Sequence, residues 1–271
     1  MEAARIAARR GHEVTLYEKG AYLGGLIPVA AIVKDLETGD LTKFVKYLAT
    51  QLEKEGVKVH LKTEVTPELV KQNSPDTMLI AAGAEHTKFD VPGITSKVIN
   101  TEKLHAMLKF FLKFFTSAQL EKLSKIWMPV GKSVVVLGGT LHGCELAEYL
   151  TKRGRKVTMV HNGPEEELGD KMTVDDLVNL WPWLKQKHVP IWAGVKYKEI
   201  VENGLKISLS DRREYIIEGK NIITTQDWIP NKTIADRFSG LVSETYVIGS
   251  SREPGLIVDA IQEGHKTGLK I

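Results

Sequence analysis

Residues 133–162, SVVVLGGTLHGCELAEYLTKRGRKVTMVHN, constrain the fold of this chain more than any other stretch. A short β-branched run, 134–137, meets Gly138, Gly139 and Gly143 at once, and a helix-period stretch then leads to a second apolar run, 157–160. That order predicts a strand, a glycine turn, a helix and a second strand, the opening of a dinucleotide-binding βαβ unit. Glycines let the backbone turn tightly and approach a pyrophosphate, and the helix N-terminus then offers its N–H groups to the anion. The middle glycine of G-x-G-x-x-G is replaced by Thr140, which puts a side chain where close approach is usual.

The same unit exposes an internal repeat. With an offset of 143, Glu2 falls on Glu145, Ala4 on Ala147, Arg10 on Arg153 and Gly11 on Gly154; Val14, Thr15 and Gly20 fall on Val157, Thr158 and Gly163. The chain therefore reads as two dinucleotide-type units. Met1 aligns one residue beyond the third glycine, so the first unit is expected to lack its opening strand and glycine turn, as in an N-terminally truncated chain. The sheet edge left by such a loss is a pairing liability, open to self-association or to a strand from a neighbouring subunit.

Composition removes several classes. A hydrophobic share of 42% and a charged share of 26% are ordinary for a globular protein, and 271 residues suffice for one large or two ordinary domains. A net charge of +3, without an arginine-rich tract or stacking aromatics, argues against nucleic acid. One cysteine, Cys144, rules out an intramolecular disulfide framework, a Cys-x-x-Cys pair and an all-cysteine iron–sulfur site within this chain. A cytoplasmic location is the expectation. The alanine- and arginine-rich residues 1–10 could pass for a targeting peptide, but the repeat makes them a helix interior.

In chain order, a helix over 2–10 precedes a strand over 12–18. Glu18 at that strand's end is placed to accept hydrogen bonds from an adenosine ribose, or else is a solvated carboxylate. Residues 19–26, KGAYLGGL, form a glycine-containing loop. A helix over 41–54, a strand over 57–61, a short helix near Pro67 and a buried strand over 77–81 follow. Ala82, Gly83 and Ala84 then let a backbone lie against a loop or a ligand. Residues 101–128 have helical spacing but are too lysine-rich to span a membrane. They read as a helical hairpin packed on its own protein or on an absent domain; an interfacial or partner-docking helix is the other reading. Glu165 to Glu167 read as a solvated loop, and 174–187 as a helix despite Pro182, with Trp181 and Trp183 as packing residues. Strands are expected over 189–192 and 221–225, with short antiparallel strands over 197–201, 204–209 and 215–218. A last buried strand, 246–249, leads to Ser250 and Ser251 and a helix over 255–266.

These landmarks resemble the FAD- and NAD(P)-binding half of old-yellow-enzyme-type reductases, the group of 2,4-dienoyl-CoA reductase and the 2-enoate reductases. The pieces that carry the resemblance are EAARIAARRGHEVTLYEKG with LGG, GVKVHLKTEVTPELV, DTMLIAAGAEH with VPGI, GKSVVVLGGTLHGCELAEYLTKRGRKVT, and YVIGSSREPGLIVDAIQEGHKTG. Together they cover nearly the whole chain. The resemblance implies an α/β protein of two interleaved Rossmann-like, three-layer domains. The FAD-binding one would comprise 1–98 and 226–271, and the NAD(P)-binding one 129–225, with a helical insertion over 99–128. In that family hydride passes from NAD(P)H to FAD, and electrons reach an FMN in an N-terminal barrel through an iron–sulfur cluster. The barrel and the cluster cysteines are not in this sequence, so that module would be a partner.

Carried over by residue, the resemblance assigns Glu18 and the adjoining Lys19 to the FAD ribose end, with Gly24 and Gly25 close to the flavin. Ala82 and Gly83 stand where an Ala-Thr-Gly loop lies against FAD. Gly249 with Ser250 replaces the family's Gly-Asp at the ribityl-phosphate region. Gly138, Gly139, Thr140 and Gly143 would line the nicotinamide-dinucleotide pyrophosphate. Glu145 would lie near the nicotinamide, or is simply a first-turn acid favoured by the helix dipole. His161 stands where an acid would select NAD, which leaves NAD and NADP both open. His142 touches a phosphate or is an exposed loop residue. No side chain reads as an acid–base or nucleophilic catalyst, as hydride transfer between cofactors requires none. Besides the reductase reading stands a non-catalytic Rossmann-like interaction module, in which Thr140, His161 and Ser250 mark a decayed cofactor site.

Overall fold

The computed structural model describes residues 1–33, 38–87, 90–225 and 227–271. It divides into two compact units. One comprises 1–28, 39–87 and 227–271, the other 29–38 and 88–226.

The second unit is built on a five-stranded, wholly parallel sheet. Its order is Val98–Asn100, Asn221–Thr224, Ser133–Leu137, Lys156–Val160, Ile191–Trp192. Ser133–Leu137 lies at the centre, and its alternation serves two cores at once. Val134 and Val136 pack with Cys144, Ala147, Leu150, Met159 and Leu184 on one face. Val135 and Leu137 pack with Val160, Leu205, Ile207 and Ile222 on the other. Both faces of a parallel sheet are covered, which is why this strand is written as an unbroken apolar run. Each such side chain, fully buried, contributes about 1.5–3 kcal/mol.

The first face is covered by the helices Leu141–Lys152 and Val174–Gln186 and by the hairpin Thr101–Phe111 and Ser117–Ile126, which fills the expected helical stretch. Each hairpin helix has its own start signal: Asn100 accepts from Lys103 N–H at 2.9 Å, and Thr116 and Gln119 form a capping box. Leu104, Leu108, Phe111 and Leu120 face the core, while Phe110, Phe114, Ile126 and Trp127 remain exposed. The helix Val174–Gln186 runs through Pro182. The second face is covered by an antiparallel sheet of Lys196–Val201, Gly204–Ser208 and Glu214–Glu218.

The first unit has shorter sheets. Thr15–Glu18 pairs in parallel with Lys58–Leu61, and Thr77–Ile80 pairs in parallel with Glu244–Val247. Glu85–His86 and Trp228–Ile229 form a further antiparallel pair that the sequence does not announce. Among the described residues no strand joins the two parallel ribbons, whereas Ser133–Leu137 is hydrogen-bonded on both sides in the second unit. The expectation of buried strands over 77–81 and 246–249 is corrected. Only Ile80 of Thr77–Ile80 is buried, and Glu244–Val247, the observed strand, has two exposed and two half-buried residues. A small core of Val70, Ile80, Phe238 and Val242 holds this pair. The helix Glu2–Arg9 packs on Ile257–Lys270 through two glycines. A Cβ on Gly268 would stand 2.8 Å from Ala3 O and from Ile6 Cβ, so only glycine lets the helices approach this closely. No helix of the described residues is long and apolar enough to cross a membrane.

Candidate functional site

The turn of residues 138–143 sits at the carboxyl end of the central strand of the second unit, where ligands bind in open α/β sheets. Gly138 has φ +109°, outside the range of residues with a side chain. A Cβ there would lie 2.2 Å from Thr225 Oγ1, and Thr225 is itself fixed by its own hydroxyl and N–H, both donating to Leu137 O at 2.8 Å. Gly143 is needed for a different reason. Its Cβ would stand 2.0 Å from Gly138 O, so the missing side chain is what lets the helix Leu141–Lys152 seat against the turn. Gly139, the extra glycine, is packed under Leu168 and His161.

Thr140 occupies the N-cap position, and its side chain makes no capping hydrogen bond. The positive end of the helix dipole is thus not neutralised by a side-chain oxygen. Part of the turn is satisfied internally. Gly138 N–H donates to Val160 O at 2.9 Å, Gly139 N–H to His161 Nδ1 at 3.2 Å, and Leu141 N–H to Asp170 O at 3.0 Å. Gly169 N–H donates back to Gly139 O at 2.7 Å. Cys144, fully buried one position past Gly143, donates its thiol to the same carbonyl at 3.1 Å; burial pushes its pKa up to about 12. It is a packing residue and stays a thiol.

The structure therefore brings Gly138, Gly139, Thr140, Gly143 and His161 together in the second unit. Glu145 is half-buried in the second turn of the following helix, and His142 is exposed in the first. His161 does not stand at the surface as a strand-end acid would: its side chain is 7% exposed and turned beneath the turn. Leu168, packed over Gly139, borders a cleft of about 590 Å³ together with Glu165, Trp181 and Gly194. That volume falls within the range of small-molecule sites.

In the first unit Glu18 ends the strand Thr15–Glu18, half-buried, and its Oε1 accepts from Gly20 N–H at 2.5 Å. Lys19 is exposed. Gly24, at φ +95°, would place a Cβ 2.8 Å from Val45, whereas Gly25, at φ +59°, and Gly83, at φ +87°, face open space. Ala82 is exposed. The loops holding Gly83 and Gly249 follow two neighbouring parallel strands and are tied by Ser251, not Ser250. Gly83 N–H donates to Ser251 Oγ at 2.9 Å, and Ser251 is buried. Gly249 N–H donates to Glu263 Oε2 at 2.6 Å, and with Ser250 it borders a cleft of about 600 Å³ at the start of the helix Ile257–Lys270. Open space at the Cα of Gly25 and of Gly83, an acid at a strand end and the cleft at Gly249 fit a dinucleotide. Among the described residues no group of three or more His, Cys, Asp or Glu could hold a metal.

Comparison with known proteins decides the family. The profile of the pyridine nucleotide-disulphide oxidoreductases matches residues 1–242. The chain belongs to that family. It is an FAD/NAD(P)-binding oxidoreductase domain, and its relatives include a cinnamate reductase and a 2-naphthoyl-CoA reductase, in keeping with the reductases that the motifs resemble. It is 27% identical over 279 residues to an NADH oxidase of Thermoanaerobacter brockii, a match covering 100% of this chain and 39% of the relative. It is 26% identical over 279 residues to a cinnamate reductase of Clostridium sporogenes, covering 100% and 37%. Among solved structures, 2-naphthoyl-CoA reductase in complex with 2-naphthoyl-CoA superposes with a TM-score of 0.81 at 27% identity, covering 100% of this chain and 38% of that one. The chain thus spans less than two-fifths of the length of each of these three relatives. The single cysteine leaves no pair within this chain for the disulphide of the family's name.

Several contributing residues were not legible beforehand. Thr225 is one more polar residue after an apolar strand, and Ser251 is a neighbour of the serine chosen. Asp170 acts through its backbone carbonyl, for which no residue type is a signal.

Proposed function

We propose that this chain is the reductase portion of a flavin-dependent NAD(P)H oxidoreductase of the enoate and dienoyl-CoA reductase type. Residues 129–225 would hold the nicotinamide dinucleotide at Gly138, Gly139, Thr140 and Gly143, with Glu145 towards the nicotinamide and His161 at the ribose end. Residues 1–98 and 226–271 would hold FAD, through Glu18 and Lys19 at its ribose, Gly24, Gly25, Ala82 and Gly83 along the flavin, and Gly249 with Ser250 at the ribityl phosphate. When bound, this cofactor pair supplies hydride transfer from nicotinamide to flavin, and electrons pass on to an FMN and iron–sulfur module outside these residues that reduces an enoate or dienoyl-CoA-type substrate in the cytoplasm.

The observation that carries the reading is the fixed turn of 138–143. Its glycines are demanded by backbone geometry, and it ends in a helix start without a side-chain cap. The protein's work here is binding and orientation, the chemistry being the cofactors'. One observation favours the other reading, a non-catalytic module with a decayed site: Leu141 N–H, one of the amides that would meet a pyrophosphate, is already held by Asp170 O.

Calorimetric titration of the full chain with NADH, NADPH and FAD separates the two. The reductase reading predicts saturable binding of at least one reduced nicotinamide nucleotide at one site per chain. It also predicts weak binding of FAD to these residues, because the two ribbons of the first unit are not bridged by a strand among the described residues. A folded chain that binds neither nicotinamide nucleotide contradicts it, and stoichiometric yellow flavin in the purified protein contradicts the weak-FAD part.

A further inference from the structure

The second unit carries a histidine where nucleotide-selecting folds place an acid, yet an acid is present by another route. Gly139 N–H donates to His161 Nδ1 at 3.2 Å, so Nδ1 is an acceptor and the ring proton sits on Nε2. Nε2 is buried, has no hydrogen-bond partner, and lies 3.4 Å from Glu167 Oε2. The His161 side chain is 7% exposed and that of Glu167 is 56% exposed, so the imidazole points from the protein interior at a carboxylate in solvent. Gly163 makes the approach possible. A Cβ on it would lie 2.1 Å from Glu167 Oε2 and 2.6 Å from His161 Nε2, inside the space the pair uses. The loop is held at both ends, by Gly169 N–H on Gly139 O at 2.7 Å and by Gly194 N–H on Gly163 O at 2.7 Å. Glu165 and Leu168, on either side of Glu167, border the cleft of about 590 Å³.

We infer that Glu167 is the residue that reads the adenosine ribose of the nicotinamide nucleotide, with His161 as its positioning residue, and that the site selects NADH over NADPH. This rests on the reading of the second unit as a nicotinamide-dinucleotide site. The strand-end acid of such a site accepts hydrogen bonds from the ribose hydroxyls. Here the carboxylate comes from six residues downstream and is oriented by the buried ring, at the same end of the same strand. A 2′-phosphate placed there would meet Glu167 with Glu165 and Glu166 beside it, a like-charge contact that disfavours NADPH. Lys185 borders the same cleft and is the cation that would receive the phosphate if the preference were reversed.

Fluorescence or calorimetric titration of the full chain with NADH and NADPH tests the assignment without turnover, on the native chain and on Glu167→Gln, Gly163→Ala and Lys185→Gln. The native chain is expected to bind NADH more tightly. Glu167→Gln should weaken NADH by roughly tenfold, the scale of a hydrogen bond to a charged group, and leave NADPH unchanged or improved. Gly163→Ala should move the preference the same way by displacing the carboxylate, and it gives an answer if one variant misfolds. Tighter binding of NADPH, its loss in Lys185→Gln, or a preference that survives both Glu167→Gln and Gly163→Ala would overturn the assignment. Binding of neither nucleotide by the native chain would instead overturn the dinucleotide reading beneath it.

Discussion

Replacing Gly138 by alanine tests whether the turn is as tightly determined as its geometry implies. The substitution imposes two penalties. At φ +109° an L-residue is strained, of order 1–3 kcal/mol. Its Cβ would also lie 2.2 Å from Thr225 Oγ1 and 2.9 Å from Thr225 O, an overpacking contact of about 1–3 kcal/mol. Thr225 cannot rotate away freely, because its hydroxyl donates to Leu137 O. Gly154→Ala in the same unit is the matched control. Gly154 has φ +71° with nothing within 4 Å, so it carries only the left-handed penalty, about 1–2 kcal/mol. Both replacements stiffen the unfolded chain alike, a gain of about 0.4–1 kcal/mol that cancels in the comparison. The expected difference is therefore about 2 kcal/mol or more against Gly138→Ala. With a urea m-value of about 1–3 kcal/mol/M, that is a midpoint lower by roughly 1 M. Tryptophan fluorescence is a suitable reporter, since Trp127, Trp181, Trp183 and Trp192 lie in the second unit and only Trp228 in the first. Equal midpoints for the two variants would refute the claim that Thr225 and the turn are locked together.

Two further outcomes follow from side chains the structure fixes. Cys144, buried and held to about 12 in pKa by its desolvation, should not react with a thiol reagent in the native protein at neutral pH and should react at the rate of unfolding in urea; fast native labelling would contradict the packing. Glu2 is 8% exposed and bound by Arg5 through Nη2 at 2.7 Å and Nε at 2.9 Å, and these bonds hold its carboxyl below the ordinary carboxylate range, with His265 Nδ1 at 3.1 Å adding to them. A depressed carboxylate contributes stability that is present above its unfolded pKa, about 4.3, and is lost as pH falls through the folded value. The protection of the packed helices Glu2–Arg9 and Ile257–Lys270 against hydrogen exchange, taken relative to the unstructured rate at each pH, should accordingly fall in acid, and in Glu2→Gln that acid-dependent step should shrink; an unchanged protection profile would contradict it.

The second unit was more legible than the first, for a physical reason. A central strand buried on both faces must be apolar at every position, so 134–137 announces itself, and a backbone at φ +109° must be glycine. Ribbons of two strands with one face towards solvent carry no such demand. Lys58–Leu61 is exposed along its whole length and Glu244–Val247 along half, which is why the apolar pattern points to a buried strand over 246–249, two residues later than the one observed. The pair Glu85–His86 with Trp228–Ile229 joins residues far apart in sequence and shows no local pattern. At the candidate site the residues with backbone duties were readable: Gly138, Gly143, Gly83. Those acting through long-range side-chain reach were not. Ser251 ties Gly83, and Glu167 reaches His161 across Gly163, through distances that exist only once the chain is folded.

Peptide-resolved hydrogen exchange of the full chain with and without NADH tests the central claim most directly. A dinucleotide held at this turn predicts slowed exchange confined to residues 138–145 and 161–168, with the hairpin of residues 101–126 unchanged. No protection over 138–145 at saturating NADH, or protection only in some other region, would contradict it.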